Sequence, residues 1–397
     1  MEKKTKELKR NSRRKTPKFK KIESSPKYNM VVFCHLRWGF VYQRPQHIIS
    51  RMAQHYNILF VEEPVPFENP DEENEYLLEI INDNLHVLKP KVRRIEDIKN
   101  VLKPLLKDCE LEIGWFYSPA FSPLITNFVF DTVIYDCMDE LSLFKGAPAQ
   151  LITQEKFLMA EAHIVFTGGK SLFDSKKNCH SNVHCFASSV DRSHFEKAMG
   201  DIEIPEDIKY IQKPVVGYFG VIDERINLEL LRETARLLPD VGFAMIGPLA
   251  KIGEEDLPIE KNIYYLGMKD YKQLPNYLKA FDIAMMPFAL NDATKFISPT
   301  KTLEYMVANL PIVSTKIADV VELYGEAVSV ASSAEEFVRA CERALNETPG
   351  ERANKARIMR DIVSANSWEA TAEHMHRLIA DTGITRAGID ASSITTI

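Results

Sequence analysis

From Tyr28 onward, short apolar runs rich in β-branched residues alternate with segments whose apolar positions recur at helical spacing. The first run, MVVFCHL (30–36), reads as a buried strand. RPQHIISRMAQHY (44–56) follows as a helix, with Pro45 in its first turn and Ile48, Ile49 and Met52 on one face. YNILFVEEP (56–64) is the next strand, and the acidic stretch from Pro66 to Glu79 reads as irregular. Further strands are expected at LHVLKP, LEIGWFYSP, DTVIYDCMDE, HIVFTGGKS and NVHCFASSVD. Strands alternating with helices predict a parallel sheet covered on both faces.

Residues 198–213 lose the alternation and read as a linker, after which a second series starts. PVVGYFGVID, VGFAMIG, NIYYLGM, DIAMMPF, LPIVST and EAVSVA read as strands, and NLELLRETARLL, YKQLPNYLKAF and SPTKTLEYMVAN as helices between them. The last helix, SWEATAEHMHRLIADTG, is expected to end near Gly383. The fold class is therefore α/β, with two Rossmann-like parallel-sheet domains facing a cleft where ligands of such sheets bind. The expected boundaries are a basic disordered tail at 1–28, a first domain at 29–198, a linker at 199–213 and a second domain at 214–366. A crossing helix at 367–383 and a tail at 384–397 complete the chain.

Composition narrows this picture. The 397 residues are 45% hydrophobic and 27% charged, which is globular, and no apolar run is long enough to span a bilayer. The start is basic and polar without an apolar core, unlike a secretory signal. Six scattered cysteines suit a reducing, cytoplasmic setting better than a disulfide scaffold. Residues 1–21 hold eleven Lys or Arg against two Glu, so the rest of a chain of net charge −6 carries −15. An acidic body argues against a nucleic-acid-binding core, while the arm could act as a solvated tail or touch anionic lipid or polyanions.

Candidate chemistry concentrates in DIAMMPFALNDATKFISPTKTLEYMVANLPIVST (282–315), where a strand, a polar loop and a helix beginning near Pro299 follow one another. A helix N-terminus presents free N–H groups and suits a diphosphate. Ser298 and Thr300 add hydroxyls, Lys301 a cation, and Glu304 a carboxylate deep enough to accept both hydroxyls of a ribose. Ordinary capping by Ser298 with proline in the first turn accounts for the pattern equally well. In the first domain, Arg37, Trp38 and Arg44 sit on an aromatic, basic lip suited to a sugar and an anionic group. Asp136 and Asp139 end a strand where a carboxylate could take a proton from an acceptor hydroxyl, with Asp139 the first choice. The run FTGGKSLF lets a helix N-terminus approach a ligand but lacks dinucleotide and P-loop spacing. CHSNVHC has the residues but not the strand geometry for zinc, and no metal or other cofactor is expected.

The chain resembles the GT-B-fold glycosyltransferases, in the large group that includes bacterial polysaccharide and lipid-sugar transferases. The likeness rests on YYLGMKDYKQLPNYLKAFDIAMMPF and LEYMVANLPIVST, with Asn309 where glycine is usual, and on HLRWGFVYQRPQHIISRMAQ and YDCMDELSLFKG. It implies a nucleotide-sugar donor, favouring a UDP-sugar, in domain two and a glycan, lipid-linked or other hydroxyl acceptor in domain one. It also implies a phosphate contact from Gly220 and Arg225, backbone contacts to the base from Met268 and Lys269, and transfer without a metal. Retaining relatives commonly carry Glu-x7-Glu; here Phe296 holds the first position, and Asp292 or Lys295 could fill part of that space. A sugar-nucleotide epimerase of similar architecture and a non-catalytic nucleotide or glycan binder stand as alternatives.

Overall fold

The computed structural model describes residues 27–393 other than 68, 70 and 72, with side chains through Thr382. The basic arm at 1–21, and with it the expected tail up to residue 26, lies outside the described residues. Tyr28 is already part of the fold, buried with its hydroxyl 2.8 Å from His86 Nδ1.

Domain one is built on an eight-stranded sheet. Its strands are β1 (Met30–Cys34), β2 (Ile58–Glu62), β3 (Glu75–Asn82), β4 (Leu85–Lys91), β5 (Ile113–Phe116), β6 (Thr132–Cys137), β7 (Ile164–Thr167) and β8 (Val183–Cys185). The order is β3-β4-β2-β1-β5-β6-β7-β8, parallel throughout except for β3 against β4. Its helices are α1 (Arg44–Met52), α2 (Ile98–Leu105), α3 (Gln150–Glu161) and α4 (Lys170–Lys176), and the stretch leading to domain two adds α5 (Arg192–Phe195) and α6 (Glu206–Lys209). Successive residues of β1 serve opposite faces: Val31 and Phe33 join one apolar cluster, Met30 and Val32 the other. Burial on both faces is why this strand reads as a continuous apolar run.

β3 departs from the expected irregular stretch. It is an exposed edge strand, so little burial selects its sequence, and Glu79 and Glu75 hold it through Lys89 at 2.6 Å and Lys91 at 3.6 Å on β4.

Domain two has six parallel strands: β9 (Val215–Phe219), β10 (Gly242–Ile246), β11 (Ile263–Gly267), β12 (Ile283–Met286), β13 (Ile312–Thr315) and β14 (Val328–Ala331). Their order is β11-β10-β9-β12-β13-β14. Its helices are α7 (Leu228–Leu237), α8 (Leu274–Leu278), α9 (Lys301–Val307), α10 (Ala318–Tyr324), α11 (Ala334–Leu345) and α12 (Pro349–Ser364), after which α13 (Trp368–Ser393) ends the described chain. The chain reverses its winding direction beside β1 in one sheet and beside β9 in the other, which opens a crevice at the C-terminal strand ends.

The stretch expected as a bare linker is folded onto domain two. Ile208 and Ile211 are buried in its core, and Lys279 Nζ donates to the carbonyls of Gly200 and Ile202 at 2.8 and 2.9 Å. α13 belongs to domain one and runs beyond Gly383 to Ser393. Trp368 is buried and stacks on His47 of α1 with ring centroids 4.8 Å apart, and Ala372, Met375 and Ile379 extend the same core. Burying apolar side chains of this size contributes about 1.5–3 kcal/mol each, which fixes the crossing helix against its neighbour. No helix among the described residues is long and apolar enough to cross a membrane.

Candidate active site

The crevice between the two sheets forms a cleft of about 360 Å³, lined from both domains. Its domain-two wall starts where β12 ends. α9 begins at Lys301, two residues later than Pro299, and its N-cap is Thr300, which makes no side-chain cap bond. Ser298 is therefore not the helix cap. Its Oγ is buried without a hydrogen-bond partner among the described residues, while its carbonyl accepts from Ser188 Oγ of domain one at 2.6 Å. An orphan hydroxyl beside a helix N-terminus suits an oxygen-rich ligand, because leaving it unpaired is costly.

Lys301 and Glu304 lie one turn apart on α9 and both line the cleft. Lys301 forms no ion pair among the described residues; its ammonium lies 5.6 Å over the Tyr218 ring, and burial lowers its pKa. Glu304 is 7% exposed, and burial pushes its pKa up to about 7 although Lys301 pulls it down. A buried carboxylate of this kind is stabilised by hydroxyl donors, and a buried ammonium by an anion. Gly220, at φ +138°, lets the Lys301 stem lie on the loop after β9: a Cβ there would collide with Lys301 Cε and come within 2.6 Å of its Nζ.

Arg225 lines the same wall and is aimed by a neighbour. Asp223 accepts from Arg225 Nε at 3.0 Å and from Nη2 at 2.7 Å. Burial works to lower the Arg225 pKa, but Asp223 and Asp139 outweigh it and hold the guanidinium charged. Met268 is exposed at the rim of the cleft, and Lys269 beside it pairs with Asp207 at 2.6 Å.

From domain one, Asp139 and Trp38 reach the cleft. The Asp139 carboxylate makes no hydrogen bond among the described residues, and burial raises its pKa to about 6 against the pull of Arg225. Trp38 packs edge-on to Phe60 with ring centroids 5.0 Å apart, and its amide donates to Glu62 Oε1 at 2.8 Å.

Four expected site residues do other work. Asp136 is fully buried and accepts from Arg44 Nη2 at 2.9 Å, so its carboxylate is spent inside domain one. Arg44 reaches the cleft wall, yet Nη1 donates to the Phe186 carbonyl at 2.7 Å and Asp136 keeps the guanidinium charged against burial. Arg37 binds Glu62 at 3.1 Å together with the carbonyls of Glu63 and Pro64. Each arginine is tied to its own domain because its loop needs a partner for buried carbonyls and a carboxylate. Lys295 is exposed and does not line the cleft; its Nζ sits 5.2 Å over Phe296. Phe296 packs against the apolar core of domain one, so this position carries a contact between domains.

Three residues at or behind the cleft wall escaped the sequence reading. Tyr271 lines the cleft with its hydroxyl buried and unpartnered among the described residues, its ring stacked 4.3 Å from His194 and tilted against Tyr42 at 4.7 Å. Asp223, two positions before Arg225, carries a local signal; Tyr218 sits inside an ordinary strand and carries none. No group of three or more His, Cys, Asp or Glu among the described residues is arranged to hold a metal ion.

Residues 213–347 match the family model described as glycosyl transferases group 1. The putative teichuronic acid biosynthesis glycosyltransferase TuaH of Bacillus subtilis is 24% identical over 296 residues, 69% of this chain and 73% of that protein. The second domain thus carries the group 1 glycosyltransferase pattern, and the chain as a whole is similar to GT-B-fold glycosyltransferases. Sucrose-phosphate synthase from Thermosynechococcus elongatus superposes with a TM-score of 0.69 at 13% identity, covering 89% of this chain and 98% of that one. A UDP-forming α,α-trehalose-phosphate synthase from Burkholderia xenovorans gives 0.66 at 11% identity over 89% and 99%. A trehalose-6-phosphate structure from E. coli, bound with UDP-2-fluoro glucose, gives 0.65 at 13% over 89% and 98%. The protein is thus an enzyme of sugar transfer, and the epimerase alternative finds no support in these matches.

Proposed function

We propose that domain two binds a UDP-sugar through Glu304, Lys301, Arg225 and the Ser298–Thr300 loop, and that domain one presents a glycan or lipid-linked hydroxyl acceptor. The observation that carries this reading is a half-buried lysine without an ion pair among the described residues and a buried carboxylate, one turn apart on the cleft wall, beside the orphan hydroxyl of Ser298. Glu304 accepts two hydrogen bonds from the ribose hydroxyls. Lys301, Arg225 and the first amides of α9 hold the diphosphate and stabilise the charge that grows on it as the bond to the sugar breaks. No metal is needed in this scheme, because these cations and dipoles supply the positive charge. Asp139 takes the proton of the acceptor hydroxyl as its oxygen bonds to the sugar; a pKa near 6 leaves it largely ionised at neutral pH. The UDP-2-fluoro glucose of the E. coli relative and the teichuronic acid pathway in the name of TuaH support a nucleotide-sugar donor and a polysaccharide product.

Phe296 puts no carboxylate beside the transferred sugar, so its recognition falls to backbone groups of Ile297 and Ser298 and to the domain-one lip. A thermal-shift panel of UDP-, GDP- and ADP-sugars tests the reading. A ligand at 100 times its Kd adds about 2.7 kcal/mol of stability, and stabilisation by UDP-sugars alone is expected; an equal shift with all nucleotides, or none, refutes it. We place the enzyme in the cytoplasm, with residues 1–21 docking on anionic lipid at about 1 kcal/mol per basic residue near the surface. Full-length protein, but not a chain starting at Lys27, should co-sediment with phosphatidylserine vesicles at low salt, and equal sedimentation of the two would end this part of the proposal.

A further inference from the structure

By sequence alone, the glycine pair of FTGGKSLF lets a helix N-terminus approach a ligand. In the structure that end is filled from the opposite domain. Asp319, fully buried in the first turn of α10, accepts from the amides of Lys170 and Ser171 at 2.9 Å each. Its two oxygens thereby satisfy the first two amides of α4 (Lys170–Lys176), a helix with no side-chain cap of its own. Gly169 is required by this contact: a Cβ there would collide with Asp319 Oδ2 and lie 2.8 Å from Ser298 Cβ. Gly168 meets the Met138 backbone, where a Cβ would lie 2.8 Å from both Cα and O, so the loop is also pressed against the strand end that carries Asp139.

A second bond lies beside the first. Ser188, buried after β8, donates through Oγ to the Ser298 carbonyl at 2.6 Å. Among the contacts between the domains, these two are buried hydrogen-bonded ones, at α10 and at the loop that lines the cleft ahead of α9. We infer that Asp319 and Ser188 are positioning residues for sugar transfer: together they fix the closure of the two domains and hold the Ser298 loop opposite Asp139. Asp319 lies outside the cleft, and Ser188 lines it with its hydroxyl spent on the Ser298 carbonyl. They act through Gly169 and Ser298, and this inference rests on the reading of Ser298–Glu304 as the donor site.

The physical reason is the asymmetry of what each domain supplies. Glu304, Lys301 and Arg225 all come from domain two, so nucleotide affinity needs that domain alone. Asp139 and the lip around Trp38 come from domain one, so turnover needs the two walls in register. A buried carboxylate capping two amides across the boundary sets that register with the strength and directionality of charge-assisted hydrogen bonds. Its amide analogue cannot reproduce it, since one of the two oxygens becomes an N–H facing an N–H.

The test uses full-length protein and the variants Asp319→Asn, Gly169→Ala, Ser188→Ala and Ser188→Thr. UDP affinity is measured by calorimetry, turnover as UDP released from UDP-glucose, and domain separation by small-angle scattering. Asp319→Asn and Gly169→Ala should lower turnover at least tenfold and increase the radius of gyration, while UDP affinity changes less than threefold. Ser188→Ala should lose about fivefold in turnover and Ser188→Thr should recover most of it, which keeps the test open if an Asp319 variant does not fold. Wild-type turnover in Gly169→Ala and Ser188→Ala, or unchanged scattering with UDP affinity falling in step with turnover, overturns the inference. Failure of the donor-site reading shows separately, as Glu304→Ala protein that binds UDP as well as wild type.

Discussion

The junction after β7 in domain one and the junction after β12 in domain two share a plan. Each runs from a buried parallel strand through a loop into a seven-residue helix that starts with lysine, Lys170 in α4 and Lys301 in α9. Their surroundings make them opposites. The α4 amides are bound by Asp319, and Lys170 pairs with Asp174 and, at 3.4 Å, with Glu322. The α9 start has no side-chain cap, Lys301 has no ion pair among the described residues, and Ser298 Oγ has no partner there. A helix N-terminus becomes a binding element only when the rest of the fold leaves it unfilled, and the filling residue here lies 149 positions away in sequence.

The largest effect that would break this contrast is at Glu304. Each hydrogen bond to a charged group contributes about 1.5–3 kcal/mol, so Glu304→Ala should weaken UDP binding at least tenfold by calorimetry. Unchanged affinity would remove the functional half of the comparison. Next comes the pair of lysines. Lys301→Ala should lower UDP affinity about fivefold to tenfold, as expected for losing one close cation, whereas Lys170→Ala should change it less than twofold. Equal losses from the two substitutions would show that the filled junction also serves the nucleotide.

Proton linkage sharpens the contrast further. The Glu304 pKa is raised to about 7 in the folded protein, from an unfolded value near 4.5. The stability this contributes is fully present below the unfolded value and is lost as pH rises through 7. Binding should run the other way, because the ionised carboxylate accepts two hydroxyls. UDP affinity of the wild type should gain a component between pH 6 and 8 that Glu304→Gln lacks, and parallel profiles for the two proteins would contradict it. The smallest expected shift concerns Asp139, whose pKa is raised to about 6. Turnover should rise through pH 6, and Asp139→Asn should suppress it across the range with UDP affinity unchanged within twofold; an equal loss of affinity would make the residue structural.

Much of the architecture was legible along the chain. Strands buried on both faces, such as β1 and β12, stand out as apolar runs, and their alternation with helical segments specifies two parallel sheets. β3 was missed because an exposed edge strand has little burial to mark it. At the site, Ser298, Thr300, Lys301 and Glu304 were legible because one strand–loop–helix junction carries all of them, so local spacing places them together. Asp136, Arg44 and Arg37 were misread because residue type and position at a strand end or lip do not reveal a partner from elsewhere in the chain. Arg44 meets Asp136 across 92 residues.

The sequence by itself determined the fold class, the crevice between two sheets and the local composition of its domain-two wall. These follow from hydrophobic periodicity and from groups within one helical turn of each other, which obey short-range geometry. The tertiary structure alone decided which charges remain unspent. Whether Lys301 stays unpaired while Lys170 is neutralised, and whether a helix end meets Asp319 or the open cleft, depends on side chains brought together from distant parts of the chain. Pairing energies act over a few ångströms in space, and spacing along the sequence carries no record of that distance.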